Sequence, residues 1–454
     1  MSLSPRRMAG SFTVGVYQDL QILLFDAASS LKVLQAYNSQ KCSVAGDRRL
    51  TAAMARLPVL SIAEVRDSQE PLVIDFGAGY TAAASSLSQN GCSDKILEVR
   101  FQGGSCLCPS AAAVKRCRDG KAEFCFGYEA LRLIRRSGYG ERMTFFHNLK
   151  LFLYEERILD VCDLEGNAAC ISSDTLLSQF FQYIIGAAKG EHGRNYTRLS
   201  FLMPDKRGGL ALKRLQDLLP DYQVANVCSE AINCVYGEII RRGDYEGEDL
   251  VRELAFHCGA GSSSLVCCDH EAENTRVAYK VQMKARYLNG DSGFGGNRLT
   301  CLIFMYLKIR VMLAVTGSEE EIFDEKLQDS YSYVDQYGGT REVYEGFYGL
   351  YEQAEQIIPT RFGTPEATEP WRRQNFYRLW FLAEGLKTAF FSGEPVNRIS
   401  LPDRFSELCV VNVAAPDGIR EYRMEFSVHK EALELVMAPE FYRSVTRFIE
   451  RVCD

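Results

Sequence analysis

One local pattern occurs twice in this chain, and it limits what the chain can fold into. An apolar run, Pro71-Leu-Val-Ile-Asp-Phe76, leads into Gly77-Ala-Gly79 and a small-residue segment, Ala82–Ala84. About 180 residues later, Glu253-Leu-Ala-Phe-His-Cys258 leads into Gly259-Ala-Gly261 and Ser262–Cys268. Both read as strand, glycine turn, strand. A glycine hairpin alone is common in plain sheets. Two of them can grip one polyphosphate from opposite sides, because without a Cβ the backbone N–H groups come close to phosphate oxygens.

The rest of the chain frames these units. Thr175–Ala188 and Leu210–Leu219 have helical apolar spacing. Leu199–Pro204 reads as a strand stopped by proline, and Thr275–Lys284 as another strand after a charged turn at Asp269–Asn274. Gly290-Asp-Ser-Gly-Phe-Gly-Gly296 opens a long apolar helix. Gly363–Pro370 reads as a loop, and Asn375–Phe391 and Lys430–Val452 as helices. Tyr344, Tyr348 and Tyr351 share one helix face, a packing stripe rather than a ligand box. In residues 1–70, Phe12–Phe25 alternates and Leu50–Leu57 is helix-like, and neither carries a chemical motif.

With 454 residues, 46% of them hydrophobic, the chain exceeds what one core usually supports, so two or three domains are expected. The 52 basic and 59 acidic residues give a net charge of −7, without the basic excess of a nucleic-acid binder. Leu299–Val315, the longest apolar stretch, is broken by Lys308 and Arg310, so no membrane span is expected and the reading is cytoplasmic. The 16 cysteines are irregularly spaced, and Cys106, Cys108, Cys117 and Cys125 cluster without a Cys-x2-Cys pair. Reduced core thiols are expected rather than disulfides or zinc.

Taken in order, further segments resemble the nucleotide-binding domain of DnaK-type, seventy-kilodalton heat-shock chaperones, within the actin and sugar-kinase superfamily. Ile74-Asp-Phe-Gly-Ala-Gly-Tyr-Thr81 resembles the first phosphate hairpin. Cys108-Pro-Ser110 with Phe126-Gly-Tyr-Glu-Ala130 resembles the Thr-Pro-Ser segment and the helix start after it. Thr144–Lys150 resembles the segment ending in a phosphate-contacting lysine, and Phe201–Pro204 the strand ending in a hinge proline. Ser229-Glu230 with Val235-Tyr-Gly237 resembles the connecting helix that carries a glutamate. Phe256–Ser264 lies on the second hairpin, and Gly290–Gly296 resembles Gly-Asp-Thr-His-Leu-Gly-Gly. Glu384-Gly-Leu-Lys387 with Ser392 resembles the adenine-side helix, and Phe426–Arg451 a Phe-Glu-Glu-Leu segment with its following helix.

The resemblance spans about residues 71–452 and implies an α/β, actin-like ATPase fold of two lobes flanking a cleft. Lobe I would be 71–240 and lobe II 241–454, with an insertion at about 300–370 and residues 1–70 as an extension. The family's closing strand, its Gly-Gly-Ser-Thr-Arg turn and its peptide-binding sandwich have no counterpart here, which implies a truncated boundary rather than a permutation. ATP or ADP with Mg2+ is the implied ligand, and a protein partner or attached domain the implied listener. Asp75, Lys150 and Glu230 take the catalytic positions, with Asp75 toward the metal. Gly77, Ala78, Gly79, Tyr80, Gly259, Ala260, Gly261 and Ser262 take the phosphate hairpins. Gly293, Gly295 and Gly296 take the phosphate or ribose side, and Glu384 and Lys387 the adenine side.

The second hairpin departs from the family. Its two carboxylate positions hold His257 and Ser264. Phosphoryl transfer depends on positioned charge and water, whereas backbone donors do much of the binding, so binding is expected to survive more readily than hydrolysis. Plainer readings stand beside the functional ones. Asp75 could cap a turn, Lys150 could snorkel from its apolar neighbours, Glu230 could serve a helix N-terminus, and Glu384 with Lys387 could be a surface i,i+3 pair.

Overall fold

The computed structural model describes residues 12–25, 52–64, 66–89, 92–140, 142–203, 208–242, 250–274, 279–291, 293–318, 340–362, 370–393 and 397–453. They form a mixed α/β protein with several sheets. Strands β1 (Phe12–Phe25) and β2 (Ala52–Glu64) make an antiparallel ribbon. This corrects the helical reading of Leu50–Leu57 from Ala52 onward, its first two residues lying outside the described residues. A 14-residue strand leaves a long row of backbone donors and acceptors, and pairing them outweighs a weak local helical preference.

The largest sheet has six strands. Its path runs from β8 (Gln223–Ser229) through β7 (Arg198–Met203), β3 (Leu72–Phe76) and β4 (Tyr80–Gln89) to β5 (Cys92–Glu98), and β6 (Leu107–Pro109) also pairs with β4. β7 is parallel to both β3 and β8, whereas β3–β4, β4–β5 and β4–β6 are antiparallel. Strand alternation buries Leu72, Ile74 and Phe76 and turns Asp75 to the opposite face. Helix α1 (Ser173–His192) covers the buried face. Ser172 caps its start by accepting the Asp174 N–H, and Gly193 closes it in the left-handed conformation. Phe76 meets Phe180 and Phe181 at ring separations of 5.7 and 5.0 Å, and Phe181 meets Phe201 at 5.5 Å. Such aromatic pairs add about 0.5–1.5 kcal/mol each beyond area burial.

A second, three-stranded antiparallel sheet contains β9 (Val251–Cys258), β10 (Ser263–Asn274) and β11 (Tyr279–Asp291). The charged turn expected at Asp269–Asn274 is instead the end of β10. Asp269 is tolerated there because Arg252 and Arg286 of the flanking strands both hydrogen-bond its carboxylate, holding its pKa well below the usual range. Helix α2 (Glu230–Arg242) lays Ala231, Val235 and Ile239 on Val266 and Cys268 of this sheet.

Helix α3 (Gly296–Thr316) runs through the second main cluster, flanked by α4 (Thr340–Ile357), α5 (Pro370–Phe391) and α6 (Lys430–Cys453). By length and composition α3 is apolar enough to cross a membrane, but most of it is buried among these helices. Residues 300–316 therefore sit at the centre of the cluster, although they fall in the stretch read as an insertion. Lys308 is 0% exposed, ion-paired to Glu355, hydrogen-bonded to Thr360 at 3.0 Å and 4.6 Å from the Tyr351 ring centre. Of the tyrosine face, Tyr348 takes a hydrogen bond from Arg298 at 2.6 Å and Tyr351 meets Lys308, both on α3, although Tyr348 stays 37% exposed. A smaller cluster packs Tyr377 of α5 with Ile134, Tyr139 and Met143. The expected stop at Pro204 lies outside the described residues, as does the expected loop apart from Pro370, which opens α5.

Some of the cysteines behave as small hydrophobes, whereas Cys170, Cys234 and Cys258 are exposed. Cys108, Cys117 and Cys125 are buried at separate places, and burial raises their thiols to about 12, 11 and 11. Among the described residues no His, Cys, Asp and Glu cluster could hold a metal ion on its own.

Candidate functional site

The two glycine turns close with the same hydrogen bond. In the first the Gly77 N–H donates to the Tyr80 carbonyl at 3.1 Å, and in the second the Gly259 N–H donates to the Ser262 carbonyl at 2.9 Å. Their tips converge. A Cβ added at Gly79 would lie 3.1 Å from the Ala260 methyl, and one at Gly261 would lie 2.7 Å from the Ala78 methyl. Each alanine thus rests on the glycine of the other hairpin. The N–H groups of Ala78, Gly79, Ala260 and Gly261 have no protein acceptor among the described residues. Backbone N–H groups left without acceptors in turns are the kind of donor that can hold an anion.

The first hairpin is held from behind by Ser110. Its N–H donates to Gly79 O at 2.9 Å and its hydroxyl to Gly77 O at 2.7 Å, while Thr81 Oγ1 lies 2.9 Å from that hydroxyl. The second hairpin is held by the start of α3. The Gly296 and Asn297 N–H groups donate to the carbonyls of Gly259 and Ala260 at 2.9 and 2.6 Å. A Cβ at Gly295 would sit 2.7 Å from Ala260 O, which explains glycine there. Gly295 and Gly296 therefore brace the second turn. Gly293 donates its N–H to Asp291 at 2.7 Å.

Two cavities flank the meeting tips. The first, about 420 Å3, is lined by Asp75, Lys150, Glu230, His257 and Ser264 as well as both turns. The second, about 850 Å3, is lined by His147, Trp380, Phe381, Glu384 and Arg404 among others. Ala78, Gly79, Tyr80, Asn148 and Ala260 line both. The structure thus brings Asp75, Lys150 and Glu230 into one place from three elements: β3, the short helical turn Leu149–Leu153, and the first turn of α2.

Lys150 is 8% exposed and donates to Glu230 Oε1 at 2.6 Å. It is not a snorkelling lysine, because its ammonium points inward to a carboxylate. Asp75 faces the same cavity and is open to solvent within it. Desolvation by the crowded walls raises its pKa, and Glu230 adds to this, while Lys150 and His257 pull the other way. A raised native pKa means the folded chain holds that proton more tightly than the unfolded one. The resulting stability is full below the unfolded value of 3.8 and is lost as pH rises through the raised native value. Asp75→Asn is therefore expected to melt higher than the parent at neutral pH and to converge with it in acid. Melting temperatures of both proteins across pH check this, and a variant that melts lower at pH 7 would refute it.

Glu384 and Lys387 are also placed. Lys387 donates to Gly296 O, Thr300 Oγ1 and Glu384 Oε2 at 3.1, 2.8 and 2.8 Å, and Thr300 donates to Glu384 at 2.6 Å. Glu384 borders the second cavity, while Lys387 ties α5 to the start of α3. His147, its ring tilted against that of Trp380 at 4.8 Å between centres, is held neutral by burial, its pKa lowered to about 4.

Sequence reasoning did not single out Asn148 or the pairing of Cys234 with His257. Asn148 has φ +56°, a left-handed conformation that asparagine tolerates better than most residues, so the His-Asn-Leu-Lys order was a usable signal. Its Oδ1 and the Ser264 hydroxyl are buried without any partner, and both residues line the first cavity. Cys234 Sγ lies 3.4 Å from His257 Nδ1, across two elements that only the fold brings together.

The tip contact can be tested by itself. Gly261→Ala pushes a methyl into that of Ala78, an overpacking that costs about 1–3 kcal/mol. Ala78→Gly in the same chain is expected to restore most of this, as read from a denaturant double-mutant cycle. Strict additivity would mean that the tips do not touch in solution. No protein-family model matches this chain, and no curated protein matches it.

Proposed function

We propose that this chain is a nucleotide-binding switch related to the nucleotide-binding domain of DnaK-type chaperones, with two lobes of the actin-like ATPase architecture around the cavities just described. The observation that carries the reading is the pair of equivalent glycine turns meeting tip to tip with four N–H groups unspent. The phosphates of ATP or ADP would take those donors and the Lys150 ammonium on the side of the first cavity, with the nucleoside toward the second. Both volumes fall in the usual ligand range of about 300–1,000 Å3.

The residues fit the group. Asn148 Oδ1 and the Ser264 hydroxyl are orphaned polar atoms that need a polar neighbour. Mg2+ is usually held by one or two carboxylates plus phosphates and water. Asp75 and Asp291 are the carboxylates lining the first cavity besides Glu230, which is paired with Lys150. Bound there, the ion would neutralise phosphate charge. Asp75 would hold it, Lys150 would orient a phosphate oxygen, and Glu230 would keep Lys150 in place. His257 is engaged with Cys234, and Ser264 carries no charge, so neither replaces a carboxylate in positioning water. Binding with weak or no hydrolysis is the expected chemistry, and the nucleotide state would be passed to a protein partner or attached domain.

Because the Ala78 and Ala260 methyls fill the space between the tips, a phosphate chain crossing there must spread them. Ligand binding would thus be tied to relative movement of the hairpins. The same contact favours a second reading, a nucleotide-free scaffold in which the tips stay shut. A thermal-shift titration with ATP, ADP and Mg2+ separates the two. At a hundred times the dissociation constant, binding adds about 2.7 kcal/mol of stability, which raises the melting point by several degrees. A melting point independent of nucleotide would leave the scaffold. Steady phosphate release abolished by Asp75→Ala would instead show a working ATPase.

A further inference from the structure

Cys234 and His257 form a pair that the nucleotide reading does not use. Cys234 is one turn after Glu230 on α2, so both reach the first cavity, where the thiol is exposed. His257 on β9 brings Nδ1 to 3.4 Å from its sulfur. Directly across the ladder from His257 is Ser264, 7% exposed, whose hydroxyl has no partner. A thiol, a base within reach, an orphaned hydroxyl and unspent backbone donors thus face one space. Other described thiols are placed differently. The Cys106 thiol is pushed up mainly by its hydrogen bond to Glu98, and that of Cys170 by desolvation and then by Asp160. Cys108 and Cys125 are closed off in the core.

We propose that Cys234 is a thiol-modification site for low-molecular-weight disulfides, with His257 as its base and the first cavity as the receiver of the added group. His257, in its Nε2–H tautomer, takes the Sγ proton through Nδ1. The thiolate attacks one sulfur of the disulfide. The S–S bond of the reagent breaks as the protein–reagent S–S bond forms, and the departing thiolate takes the proton back from His257. Cys234 is oxidised, and one half of the reagent leaves as its thiol. A glutathione group carries carboxylates suited to the free N–H groups and would occupy the space assigned to phosphate. That last consequence rests on the nucleotide reading, whereas the reactivity does not.

The test is a time course of the full chain with oxidised glutathione, quenched in acid and mapped by peptide mass. Cys234 is expected to react about tenfold faster than Cys106, Cys170 and Cys258, and His257→Gln to slow Cys234 about tenfold while leaving Cys170 unchanged. The ranking in the unmutated chain decides the matter even if the variant does not fold. Cys234 lagging Cys170, or reacting unchanged without His257, would overturn the proposal. The ATP thermal shift is then measured before and after modification. Its loss on modification supports occlusion of the cavity, and its survival at full modification overturns that part. No shift in the unmodified chain would remove the nucleotide reading and leave the labelling order to decide the thiol.

Discussion

Lys308→Met is expected to destabilise the protein by about 3 kcal/mol or more in a denaturant titration, the range for removing one partner of a buried ion pair. Lys308 is wholly enclosed, and its ammonium is matched by Glu355, Thr360 and the Tyr351 ring. The substitution keeps the volume but strands the Glu355 carboxylate. Glu355 still accepts from the Thr360 and Arg361 N–H groups at 2.8 and 2.9 Å, which keeps the loss toward the lower end of that range. The pH dependence gives an independent check. Desolvation lowers the Lys308 pKa to about 8, against 10.5 unfolded, even though Glu355 opposes the shift. Between those values the unfolded chain binds more protons, so this group makes stability rise with pH. The gap between parent and variant should widen from pH 8 to 10. A gap that narrows would mean that the ammonium is stabilised by its surroundings, contrary to the burial seen.

The same residue shows how far the sequence could be read. Lys308 and Arg310 interrupt an apolar run, and the pattern marks α3 as unsuited to lipid but not as the centre of a core. The partners that make a buried lysine tolerable come from Glu355 and Thr360, about 50 residues away. Local spacing did locate β3, α1 and both glycine turns, because these depend on alternation, helical period and glycine itself. It failed where long-range pairing decides. Ala52–Leu57 has a partner strand in Phe12–Phe25, and Asp269 lies between two arginines of neighbouring strands. At the site, Asp75, Lys150 and Glu230 were legible only as members of an ordered series, and their convergence is a property of the sheet. The approach of Ala78 to Gly261 and of Ala260 to Gly79 was not legible at all, since a glycine-alanine-glycine tip says nothing about what it will meet.

The Lys150–Glu230 pair allows binding and architecture to be separated in one set of variants. Both side chains are close to nine-tenths buried, and both face Asp75. Lys150→Met leaves two carboxylates against each other, with His257 the remaining basic group among those acting on Asp75. It is expected to cost about 3–5 kcal/mol and to push the Asp75 pKa further up. Adding Glu230→Gln removes the stranded charge, so the double variant should recover most of that loss. Recovery of stability does not restore a cation for phosphate. The double variant is therefore expected to melt near the parent yet show no ATP-dependent rise. If that rise returns with stability, Lys150 serves only to neutralise Glu230, and the hairpin N–H groups bind phosphate without it. If Lys150→Met costs nothing, the pair is open to water in solution and Glu230 has another way to keep its charge.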